Sequence, residues 1–206
     1  YMAEDIRGNI WYITEDKMGL YRLLEDGTYS NILTPFLDLA NILVNNYENL
    51  YIHDQENVFI GTEQGLAHYD PSLSKDYFYD TKTFIREIHI SSRGNDSILA
   101  FKGNPFIEET DPEHTHLEFK WNTIKFKYAC PDHENTDNLL YSFRLSGYSD
   151  AWSEWSDARE KEYTNLPSGS YTFEVKARNI YNNESLSDSF VFQINKPFYR
   201  STGAWA

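Results

Sequence analysis

Apolar and polar positions alternate with a period of two through the second half of the chain. Ile88 and Ile90 lie on one face, and Ile98 to Phe101 read as a short return. Ile124, Phe126 and Tyr128 alternate with Lys125 and Lys127, and Tyr141, Phe143 and Leu145 alternate with Ser142, Arg144 and Ser146. Phe173, Val175 and Ala177 continue the pattern, and Phe190, Phe192 and Ile194 close it. Successive side chains on a strand point to opposite faces, so this alternation buries one face of each strand. Its spacing predicts a seven-strand sandwich over residues 84–196. No helix longer than one turn is predicted anywhere.

Residues 1 to about 80 follow a different pattern, an internal repeat. Asp5-Ile6-Arg7-Gly8-Asn9-Ile10-Trp11-Tyr12-Ile13-Thr14 leads to Gly19-Leu20-Tyr21, and Asp54-Gln55-Glu56-Asn57-Val58-Phe59-Ile60-Gly61-Thr62 leads to Gly65-Leu66. Gly19 and Gly65 are 65 − 19 = 46 residues apart. A turn–strand–turn–strand unit at that period predicts β-propeller-type blades. Gly8-Asn9 and Asp26-Gly27 supply the positive φ that tight turns need. Trp11 and Phe59 are then the large wedges between adjacent blades. Two blades cannot close a ring, so either they lean on another copy or, as is expected here, they are part of a longer propeller. Asp70 to Thr83 form the joint between the two halves.

One stretch carries more than alternation. Leu166-Pro167-Ser168-Gly169-Ser170-Tyr171 brings a Pro–Gly turn into a strand that starts on tyrosine. This is the pattern of a tyrosine corner, in which the hydroxyl bonds back to the backbone a few residues upstream and pins a crossover in immunoglobulin-like sandwiches. Upstream, Trp152-Ser153-Glu154-Trp155-Ser156 spells the WSxWS motif of class I cytokine receptors. Here it precedes the Tyr171–Arg178 strand, and the paired cysteines of those receptors are missing, so that identity is set aside. A cation–π contact of one indole with Arg159 or Arg178 remains as a structural expectation.

Composition narrows the partners. The 206 residues hold 18 basic and 32 acidic side chains, a net charge of −14, which disfavours nucleic acid and anionic membrane surfaces. Aromatics make up 17%, which suits pleated, half-buried surfaces better than helices. Cys130 is the sole cysteine and has no internal disulfide partner, so it reads as a small buried filler.

The chemistry-bearing clusters are weak. His114-Thr115-His116 beside Asp111 and Glu113 could be metal ligands, but no further Cys or His follows at ligand spacing. Glu108-Glu109-Thr110-Asp111 reads as a charged loop rather than a paired-carboxylate site. No phosphate-cradling loop or nucleophile–base pair stands out. The expectation is therefore no catalytic residue, no metal, no cofactor and no enzymatic activity. Exposed aromatics that could stack on sugar rings fall at Tyr148, Trp152 and Trp155, and at Tyr77-Phe78-Tyr79.

The first half resembles the regulator-propeller repeats of bacterial two-component sensors, and the second resembles the triple-tyrosine (Y_Y_Y) domain that follows them. The second likeness rests on Tyr141, Leu145 with Gly147, Trp152, and Tyr163 through Asn179, including Gly169 and Tyr171. Tyr141, Tyr163 and Tyr171 are the candidate namesake tyrosines. The resemblance implies the C-terminal periplasmic part of a Bacteroidetes-type sensor, all-β throughout. Its parts are terminal blades (1–80), an immunoglobulin- or fibronectin-III-like sandwich (84–196) and a juxtamembrane tail (197–206). It further implies a glycan signal sensed mainly on other blades and a homodimer through the sandwich. A membrane helix would follow, with a histidine kinase or regulator elsewhere in the parent. The alternative from a different class is a secreted carbohydrate-binding or adhesion module.

Overall fold

The structure, a computed structural model, describes residues 1–15, 17–44, 49–73, 75–92, 95–101, 116–132 and 138–197. The His114–His116 pair, the Glu108–Asp111 run and the tail beyond Pro197 lie wholly or in part outside the described residues. The chain is all-β and divides into two compact units, Tyr1–Tyr79 and Asp80–Ala206.

The first unit is a pair of antiparallel sheets. One is a four-stranded meander of β1 (Met2–Glu4), β2 (Ile10–Ile13), β3 (Met18–Leu23) and β4 (Tyr29–Ile32). The other holds β5 (Leu50–Ile52), β6 (Val58–Thr62) and β7 (Gly65–Tyr69). Gly8 and Gly27 turn the hairpins at φ 79° and 80°, values open to glycine at little cost.

Trp11, Ile13, Met18 and Leu20 from the first sheet meet Leu50, Val58 and Ile60 from the second in one shared core. Trp11 is the wedge there, edge-on to Phe36 and Tyr69. Phe59 is not: it points away from the shared core and stacks on His68 at 4.8 Å. Its place follows from the repeat, because Trp11 and Phe59 sit on equivalent faces of successive sheets. Phe36, fully buried, comes from a 3-10 helix over Thr34–Leu39 that the sequence pattern does not announce.

The second unit is a sandwich of two four-stranded sheets. One runs β13 (Glu160–Tyr163), β11 (Thr123–Ala129), β8 (Phe84–Ser92), β9 (Asn95–Phe101). The other runs β10 (His116–Leu117), β15 (Asp188–Ile194), β14 (Gly169–Arg178), β12 (Leu140–Ser146). The count is eight rather than the expected seven, because two-residue β10 adds a parallel edge to β15. The alternating residues fill the space between the sheets. Phe126 stacks on Phe173 of the opposite sheet with centroids 3.9 Å apart, and Phe192 closes on Phe126 at 6.0 Å. Within the segment read as a joint, Thr81 and Thr83 are already held by the sandwich through backbone bonds with Leu186.

Candidate functional site

The signature residues of the second unit sit in three places. At the corner, the Tyr171 hydroxyl donates to the Pro167 carbonyl at 2.8 Å, and its ring stacks on Phe192. Gly169 opens β14 opposite Ile194. Gly147 lies at φ 91°, and a Cβ there would come within 2.4 Å of the Ser170 carbonyl oxygen, so only glycine lets its turn approach the start of β14.

Deep in the core, Tyr141 receives the Cys130 amide on its hydroxyl at 3.2 Å and packs on Tyr128 at 5.2 Å. Tyr163 stands edge-on to Phe126 and Phe173. Burial raises the phenol pKa of all three candidate tyrosines, that of Tyr163 to about 12, so each stays neutral at physiological pH. The three do not converge on one cavity; they are separate fastenings of one aromatic core. Sequence reasoning missed Tyr128, whose buried hydroxyl has no hydrogen-bond partner among the described residues. Alternation showed it as buried but could not show what its hydroxyl faces.

The third place is the outer face of β12 and β14. The Trp152–Ser156 segment runs along the edge of β12: the Ser153 amide donates to the Phe143 carbonyl at 2.8 Å, and Tyr141 and Ser156 exchange amide bonds at 2.6 and 3.0 Å. This turns both indoles over the sheet. Arg144 and Lys176 lie over Trp152 at 4.8 and 4.9 Å, and Lys176 and Arg178 lie over Trp155 at 5.3 and 4.4 Å. Lys176 is shared, giving an Arg–Trp–Lys–Trp–Arg ladder. Glu174 braces Arg144 at 2.6 Å and Glu184 braces Lys176 at 2.5 Å. The expected Trp–Arg contact is thus the one to Arg178. Stacking on the chain's own cations takes up ring surface that a sugar would need. Tyr148 stays exposed, with its ring edge-on to Tyr163 at 6.0 Å.

Cys130 is buried, and burial raises its thiol pKa. On the outer face of the other sheet, His89 and Lys127 both hydrogen-bond Glu87, at 2.8 and 2.9 Å, and hold its carboxyl below the ordinary value. Among the described residues, no group of three or more His, Cys, Asp or Glu side chains could hold a metal ion. No helix among them is long and apolar enough to cross a membrane.

Two small antiparallel sheets followed by a tyrosine-cornered, aromatic-cored sandwich also occur together in a known protein. Residues 132–196 match the Y_Y_Y domain family. The chain is similar to "Histidine kinase P4" of Formosa agariphila, 23% identical over 188 residues, which are 86% of this chain and 13% of the kinase. Its fold matches the extracellular domain of a hybrid two-component system from B. thetaiotaomicron with a TM-score of 0.62 and 19% identity, over 94% of this chain and 26% of that one. The likeness to a Bacteroidetes-type sensor, read first from the tyrosine motif, stands on both. The chain spans only a small part of either relative.

Proposed function

We propose that this chain is a non-enzymatic segment of the periplasmic ectodomain of a two-component sensor. In this reading, residues 1–80 are terminal propeller blades, 84–196 the relay sandwich and 197–206 the approach to a membrane helix. The serial order of blades and Y_Y_Y sandwich carries the proposal: one fold match to a sensor's extracellular domain runs across both units. The open blade faces support it too. Tyr21 and Tyr29 on the first sheet, and Tyr51 and Leu66 on the second, are exposed on the sides away from the shared core. Isolated blades would leave such surface in water, whereas further blades would bury it.

The ligand is an oligosaccharide bound mainly on blades beyond these residues, with Tyr148 the open aromatic of the sandwich. Trp152 and Trp155 serve there chiefly to stiffen the sheet that carries the signal. The sandwich pairs with a second copy, and ligand changes the geometry of that pair. Such relay requires the ligand to favour one arrangement over the other. Kinase chemistry resides elsewhere in the parent protein.

Sedimentation of the whole ectodomain, with and without a panel of polysaccharide-derived oligosaccharides, tests this. The proposal expects a dimer whose affinity or shape responds to one saccharide. A monomer at every concentration, indifferent to all of them, overturns the relay. Turnover of a saccharide would overturn the non-enzymatic reading.

A further inference from the structure

The first unit holds a cleft of about 370 Å³ between the β1–β2 turn, the β5–β6 turn and Pro71–Ser72. Arg7, Arg22, Gln55 and Glu56 line it. The aspartates around it are committed to their own turns. Asp5 accepts the amides of Arg7 and Asn9 at 2.9 and 3.0 Å, the Asn9 side-chain amide at 2.9 Å and the Trp11 indole at 3.1 Å. Asp54 takes the amides of Glu56 and Asn57 at 2.9 and 2.8 Å, and Asp70 takes the amide and hydroxyl of Ser72 at 2.8 and 2.7 Å.

Neither guanidinium group makes an ion pair with a carboxylate among the described residues. Arg7 donates to the neutral Gln55 side-chain oxygen across the cleft. The Arg22 side chain makes no ion pair or hydrogen bond among the described residues. In a chain with 32 acidic and 18 basic residues, two arginines facing one cleft with no carboxylate partner among the described residues are unexpected. Glu56, the remaining carboxylate of the lining, also makes no side-chain hydrogen bond among the described residues and is exposed.

We infer that this cleft binds the oxyanion of a small polyhydroxylated solute, with Arg7 and Arg22 on the anion and Glu56 accepting its hydroxyls. Guanidinium forks match carboxylate and sulfate oxygens in geometry and charge, and the volume admits one sugar-sized ring. A neutral sugar would leave both forks unused. The inference stands on the blade turns alone, so it survives or fails independently of the sensor reading.

The experiment is a titration of the isotope-labelled 206-residue chain at fixed ionic strength, following the amides of Arg7, Gln55 and Ser72. The probes are glucuronate, glucose 6-sulfate and glucose. Saturable shifts with one or both acidic sugars, and none with glucose, are expected. Tighter binding of glucuronate assigns a carboxylate ligand, and tighter binding of the sulfate assigns a sulfate ester. Arg22→Gln should weaken binding about tenfold and Arg22→Lys less, because lysine keeps the charge but loses the fork. Both arginines are exposed, so these variants should stay folded. Absent shifts, an equal response to glucose, or binding unchanged in the Arg7→Gln/Arg22→Gln double variant would overturn the inference.

Discussion

The two units solve the problem of burial in different ways. In the sandwich each sheet covers the other: Phe126, Phe173, Phe190 and Phe192 meet between the layers, and Ile85, Ile88, Ile124 and Leu145 fill in around them. In the blade unit the large core lies between the faces that the two sheets share, and the outer faces carry exposed aromatics such as Tyr21 and Tyr51. Trp11, Phe36, Val58 and Ile60 are buried there, while Tyr12 and Tyr21 on one outer face and Phe59 and His68 on the other stack among themselves. The sandwich has the makings of an independent domain; on the proposed reading the blade pair is a segment of a larger stack. Local turns compensate in part, since aspartates cap the turns at Asp5, Asp26, Asp54 and Asp70 in the blade unit.

Core truncation should separate the units most sharply. Trp11→Ala removes the residue that bridges both blade sheets and the Asp5 turn, at a cost of about 3–5 kcal/mol. A unit with half its faces open should lose its cooperative fold entirely, while the sandwich transition stays in place. Phe173→Ala should cost the sandwich a similar amount yet leave it folded at low temperature, with the blades unaffected. Two-probe denaturant unfolding of each variant reads this directly.

A smaller loss, about 2 kcal/mol or more, is expected for Gly147→Ala, which combines positive φ with a clash against the Ser170 carbonyl. Thermal unfolding of the sandwich measures it.

Acid should discriminate in the other direction. Among the described residues, Asp5, Asp26, Asp54 and Asp70 have depressed carboxyls in the blade unit, against Glu87 alone in the sandwich. For Asp5 burial pushes the value up, but hydrogen bonds from Asn9, Trp11 and Arg7 outweigh it. Hydrogen bonds from Thr28, from Glu56 with Asn57, and from Ser72 dominate at the other three. A carboxyl lowered by folding stabilises fully above its unfolded value and loses that contribution as pH falls through its folded value. Below pH 3.8, the ordinary aspartate value, the blade unit should therefore lose stability before the sandwich does. Amide spectra recorded down the acid series test the order.

The smallest effect is Tyr171→Phe, about 1 kcal/mol for the lost bond to Pro167, read in the same thermal assay.

The sandwich strands were legible because alternation is a local property, and Ile124-Lys125-Phe126-Lys127-Tyr128 declares its buried face without reference to any partner. The corner was legible for the same reason, since Pro167 and Tyr171 are four residues apart. What depends on long-range register was not. Arg144 and Lys176 meet Trp152 because β12 pairs with β14 with Arg144 opposite Glu174, and no window of sequence contains that pairing. The wedge reading of Phe59 failed because its register on β6 turns it away from the core that Trp11 fills, onto His68. Phe36 escaped notice because a single six-residue 3-10 helix has no periodicity to detect. The arginine cleft was equally hidden, as its walls come from turns some 50 residues apart in sequence, from Arg7 to Gln55.

The difference in completeness between the two units is tested most directly by native-state hydrogen exchange on the 206-residue chain and on a longer ectodomain. In the short chain, amides of β11, β14 and β15 should exchange far more slowly than those of β2, β3, β6 and β7. In the longer one, the blade amides should slow towards the sandwich values as neighbours cover Tyr21 and Phe59. Blade amides already as slow as the sandwich in the short chain, and unchanged in the long one, would contradict the account.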